Sequence, residues 1–84
     1  MSKVFVVNAN ENLVINCESR DLGRKGFEHV AVMLRNGKTI DSATASYQNR
    51  TWEAFPFQTV IRKLIRETEW LTSTEKELYM VKFQ

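Results

Sequence analysis

Eighty-four residues, 43% hydrophobic and 26% charged with three glycines and one proline, have the makings of one ordinary globular domain and exclude a disordered chain. A net charge of +2 excludes an acidic mimic of nucleic acid; it leaves nucleic acid or an acidic protein admissible as partners, without the dense basic patch of a dedicated duplex binder. The lone cysteine, Cys17, rules out an intrachain disulfide, and no apolar run approaches the roughly 18 residues that a spanning helix needs, so the expected setting is cytoplasmic, with no membrane partner.

Lys3–Val7 is a short run rich in β-formers. Its apolar residues fall on both faces, the pattern of a strand covered on both sides or lying at a subunit contact. Asn8–Asn12 is a turn by composition, and Leu13–Glu18 is a second strand that pairs with the first as a hairpin. Ser19–Gly26 is expected to be a loop. It holds Arg20, Arg24 and Lys25 and is the most basic short segment, either a solvated connection or a contact for phosphate or an acidic partner.

Phe27–Arg35 is a strand and Lys38–Tyr47 its return, joined by Asn36-Gly37, which suits a type I′ turn with positive φ at both positions. A two-residue turn sets Arg35 opposite Lys38, Met33 opposite Ile40, Val32 opposite Asp41 and Val30 opposite Ala43. That register gathers Val30, Val32, Leu34, Ala43, Ala45 and Tyr47 on the expected core face. The other face carries His29, Ala31, Met33, Ile40, Ser42, Thr44 and Ser46.

At Asn49–Trp52 the hydrophobic period changes from that of a strand to that of a helix. Thr51 can cap the helix and Glu53 can sit on its dipole, while Pro56 is tolerated only in the first turn. Phe57, Val60, Ile61, Leu64 and Ile65 form an apolar stripe, so a long helix is expected over Phe55–Glu69. A second helix start follows Leu71, with Ser73 or Thr74 as cap and Thr74-x-x-Glu77 as capping box. Residues 78–83 are read as helix, with strand as the alternative; Leu78 and Val81 face the core, Tyr79 is a further candidate to face it, and Phe83 closes the segment. The expected fold is one α+β domain over residues 1–84: an antiparallel sheet of three or four strands, one long helix packed on one face and a short C-terminal helix.

Little in this pattern carries chemistry. A metal site needs three or four ligands, and the chain has one histidine, His29, and one cysteine. The plain reading is a buried Cys17 and a partly exposed His29. Glu28 and Asp41 could share a face as paired carboxylates, though a charged sheet rim explains them as well. Gly23 and Gly26 precede a strand, not a helix, so they form no phosphate loop. No catalytic residue, cofactor or metal is expected. Arg20, Arg24 and Lys25 with Arg50, Arg62, Lys63 and Arg66 would make a phosphate-binding surface if loop and helix share a side. Trp52 and Trp70 stand near helix ends, and an exposed Trp beside Arg is the makeup of a protein-contact hot spot.

The segment Tyr47–Val60 fits the pattern Tyr-x-Asn-Arg-Thr-Trp-Glu-x-Phe-x-Phe-Gln-x-Val. In this it resembles small uncharacterised proteins of bacteriophages and mobile elements, mainly of Gram-positive bacteria. Pro56 departs from the usual residue at its position. The resemblance implies a phage origin and the cytoplasm of a bacterial host, and transfers no functional residue. The leading expectation is a small non-enzymatic phage-type protein that modulates, by inhibition, a host or phage protein through direct contact. Its contact residues would be Arg20, Arg24, Lys25, Arg50, Trp52, Arg62 and Arg66. The alternatives are a nucleic-acid-binding accessory module using the same cations, and a homodimeric structural protein joined through the first strand.

Overall fold

The computed structural model describes residues 2–48 and 56–84. Four strands, β1 (Ser2–Asn8), β2 (Leu13–Asp21), β3 (Phe27–Arg35) and β4 (Lys38–Tyr47), are followed by two helices, α1 (Gln58–Glu67) and α2 (Ser73–Lys82). The strands form one antiparallel sheet in the order β1-β2-β3-β4, each paired with its neighbour in sequence. The fold is therefore α+β. The helices are equal, ten residues each, where one long and one short helix were expected. The cap at Thr51 and the start at Phe55 fall outside the described residues; Pro56 and Phe57 precede the first helical turn.

The β3–β4 hairpin has the expected ends, because Asn36 (φ 54°) and Gly37 (φ 77°) supply the two positive φ angles of the turn. The register beyond the turn differs. Leu34 pairs with Thr39 but Met33 pairs with Asp41, so Ile40 is an extra residue in β4. This bulge reverses the faces of β4 relative to β3. Ala43, Ala45 and Tyr47 thus lie with Phe27, His29, Ala31 and Met33, and not with Val30, Val32 and Leu34 as expected. Ile40 is half-buried against the core, which explains the bulge. A second bulge in β1 turns Val7 inward until it is fully buried.

The loop expected from Ser19 is shorter. β2 runs on to Asp21, and one 3₁₀ turn at Gly23–Lys25 completes the connection. Leu22 N–H donates to the carbonyl of Gly26 at 2.9 Å, closing the loop. Gly26 has φ 100°, and a Cβ there would collide with the carbonyl oxygen of Tyr47, so only glycine fits.

The core lies between the sheet and the helices. Val60, Ile61, Leu64 and Ile65 of α1 are buried, as their spacing predicts, against Leu13, Ile15, Cys17, Ala31 and Met33. The ring of Phe5 stands edge-on to Phe57 at 6.4 Å and to Phe83 at 5.9 Å. α2 is helix, not strand. Its cap is Thr72, one residue before the expected ones. Thr72 Oγ1 accepts from Glu75 N at 3.1 Å while Glu75 Oε1 accepts from Thr72 N at 2.9 Å. The bond from the Thr72 N–H is the main cause that holds the Glu75 carboxyl below its ordinary value. The inward face of α2 also differs from expectation. Tyr79 and Phe83 are buried, while Leu78 and Val81 are 59% and 64% exposed. Tyr79 is held by a 3.1 Å hydrogen bond from Asn8 Nδ2, and Lys82 Nζ donates to the Val7 carbonyl at 2.6 Å.

Candidate interaction surface

Alternation along each strand sends the remaining side chains to the other face of the sheet. Register places them in rungs. Val6, Val14, Leu34 and Thr39 form the first. Val4, Asn16, Val32 and Ser42 form the second, and Ser2, Glu18, Val30 and Thr44 the third. Neither helix packs here. Val4 and Val6 are 61% and 59% exposed, Val14, Val32 and Leu34 are half-buried, and Val30 is buried. A half-open depression of about 460 Å³ is lined by Val4, Val30, Val32 and Leu34 with Asn16 and Glu18 at its polar side. Residues of this kind on both sides of a strand belong to sheets covered on both faces. Both faces carry apolar residues on β1, β2 and β3, but the face away from the helices mixes them with Asn16, Glu18, Arg20, Glu28 and the hydroxyls of β4.

The fourth rung is charged. Arg20 lies 2.8 Å from Glu18 and 3.9 Å from Glu28, its cross-strand partner. The guanidinium assigned to a basic loop is thus a strand residue shared between two carboxylates. Glu28 lies on this bare face and Asp41 on the rungs of the covered face, so the two form no carboxylate pair.

Among the described residues, Arg20 does not converge with the cations of α1. Arg24 and Lys25 are exposed at the end of the sheet beside Phe27. Arg62 belongs to the helix layer, where it donates to the Met80 carbonyl at 3.5 Å, and Lys63 donates to the Thr44 carbonyl at 2.8 Å. Arg66 is exposed on α1, 4.0 Å from Glu67. Arg20 and Arg62 stand on opposite sides of the sheet. The joint phosphate surface expected of loop and helix is therefore not assembled from Arg20 and Arg62. Arg50 and Trp52 lie outside the described residues.

His29 is 1% exposed, where partial exposure was expected. It sits among rings: Phe57 at 4.6 Å, Phe27 at 5.2 Å and Tyr47 at 5.4 Å. Among the described residues neither imidazole nitrogen has a hydrogen-bond partner, and burial pushes its pKa down. Cys17 is buried on the same face, one rung away on β2, and burial pushes its thiol up to about 12. Activation of a thiol needs the reverse of both shifts, so the pair makes no nucleophile. Among the described residues, no cluster of three His, Cys, Asp or Glu side chains could hold a metal ion, and no helix is long and apolar enough to cross a membrane.

Apolar residues on both sides of Lys3–Val7 are the signal of this face in the sequence; Val30, Val32 and Leu34 were expected to face the core, and Ala31 and Met33 do so instead. Comparison with protein families, with curated proteins and with solved structures finds no match for this chain.

Proposed function

We propose that this chain is a small non-enzymatic protein-binding module that modulates a host or phage protein by direct contact. The observation that supports it is the apolar block Val4, Val6, Val14, Val32 and Leu34 on the face that neither helix covers. Exposed apolar surface of this extent, rimmed by polar residues, is the usual mark of a protein contact. The centre of the contact is therefore the valine face. Arg20 and Glu28 stand at its rim, where charge sets orientation more than affinity. The phage setting rests on the resemblance of Tyr47–Val60 alone. Among the described residues, separation of Arg20 from Arg62 across the sheet weighs against the nucleic-acid alternative.

The test is a pull-down with tagged protein from lysate of a bacterial host, with and without nuclease and at two salt concentrations. It is run beside Val4→Glu/Val6→Glu, two exposed positions at which the fold tolerates charge. The expected result is one protein retained through nuclease and salt by the parent chain and lost by the variant. Recovery of nucleic acid, or of proteins that vanish on nuclease treatment, would overturn the reading and put Arg24, Arg62 and Arg66 first for mutation.

A further inference from the structure

We infer that, in the absence of a partner, the bare sheet face is covered by a second copy of this chain, the two sheets stacking face to face as a symmetric sandwich. The inference rests on the binding reading above and concerns the regulation of that same surface. Three observations lead to it.

The first is area. Four strands about 4.8 Å apart and about nine residues long present a face of roughly 19 by 30 Å. Two such faces enclose about 1,100 Å² in projection, above the roughly 1,000 Å² at which a contact becomes a specific interface.

The second is charge. A two-fold axis in the contact plane and parallel to the strands lays β2 of one copy over β3 of the other. Val14 then meets Leu34, Asn16 meets Val32, and Arg20 meets Glu28 of the second copy, twice by symmetry. The first rung, apolar but for Thr39, thus falls on itself; in the second Val4 meets Ser42, and in the third Glu18 meets Val30. The charged rung is self-complementary, since Arg20 and Glu28 are neighbours in one copy and exchange partners between two.

The third is the state of the edges. A second copy could instead lengthen the sheet by pairing beside β1 or β4. On each of these strands a lysine from the helix layer already occupies a carbonyl: Lys82 on Val7 and Lys63 on Thr44. A pairing strand would have to displace them. Stacking displaces nothing.

The experiment is analytical ultracentrifugation of the purified chain across the micromolar range, with a melting series at the same concentrations. The parent chain should sediment as two copies at the upper end and melt higher as concentration rises. Val4→Glu/Val6→Glu, and separately Ser42→Arg on the far side of the same face, should weaken self-association by roughly tenfold or more with an unchanged circular dichroism spectrum. Leu78→Glu/Val81→Glu, on the outer face of α2, should leave it intact. A parent chain that stays monomeric throughout overturns the inference, and so does an α2 variant that dissociates as readily as the sheet-face variants. The two readings fail separately. A monomer that still captures a foreign protein through the valine face refutes only the self-association. A dimer that captures nothing refutes only the binding reading.

Discussion

Both faces of the sheet carry apolar side chains, and the two have opposite fates. On one, Ile15, Ala31 and Met33 lie under Val60, Ile61 and Leu64 and are closed to water. On the other, Val4, Val6, Val14 and Val32 stand on the same sheet with neither helix above them. β-propensity is served equally by both, since a β-branched residue fits a pleated surface whichever way it points. What separates them is the α1 stripe, which can lie on one side only. The covered face is where the domain gains its stability. The bare face contributes little to the monomer, so its composition is better explained by association than by folding.

Substitutions on the two sides should therefore separate by size. The largest effect is expected at Ile61, fully buried at the centre of the helix–sheet contact. Ile61→Ala should cost about 2–5 kcal/mol in urea unfolding, by lost burial and the cavity left behind. Val6→Ala on the bare face should stay within about 0.5 kcal/mol under monomeric conditions. Equal losses at the two sites would break the comparison.

A smaller loss is expected from the covering layer itself. Thr72→Ala removes the side-chain half of the capping box of α2, the Oγ1 that accepts from Glu75 N, and should cost about 1 kcal/mol. The loss should appear in the same single transition, because Tyr79 and Phe83 tie α2 to β1.

The smallest effect is a slope with pH. Burial among Phe27, Tyr47 and Phe57 holds the His29 imidazole below its ordinary pKa of 6.5, so the folded protein resists a proton that the unfolded chain accepts. Stability is then whole above about pH 6.5 and declines as pH falls below it. His29→Leu should flatten this part of the curve, measured as the unfolding midpoint between about pH 7 and 5. A slope unchanged in His29→Leu would place the titrating group elsewhere.

Most of the architecture was legible because its signals are local. Asn36-Gly37 specifies a turn that few other pairs can make, and the α1 stripe repeats at helical spacing from Val60 to Ile65. The misread features are set by distant partners. Nothing near Ile40 announces a bulge; it forms because the isoleucine reaches the core from the end of β4. Leu78 and Val81 look like an inward pair, but α2 is rotated so that Tyr79 can meet Asn8 and Phe83 can meet Phe5. The candidate surface suffered most, because β3 is apolar on both sides and alternation alone does not say which side the helices cover: Val30, Val32 and Leu34 were expected to face the core and lie on the opposite face. Arg20 went the same way. Its charge was plain in the sequence, but its two carboxylate neighbours come together only across the β2–β3 pair.

The order of the elements along the chain has a consequence during synthesis. The sheet is a meander whose strands pair with their sequence neighbours, so its contacts can form as each turn leaves the ribosome. The helices come last, after residue 57. Until they emerge, the nascent sheet has two bare faces where the finished protein has one. Ile15, Ala31 and Met33 are then as open as Val4 and Val32, and a chain stalled before α1 would present a ribbon sticky on both sides. Arrival of α1 resolves that ambiguity and decides which face the finished molecule shows to others.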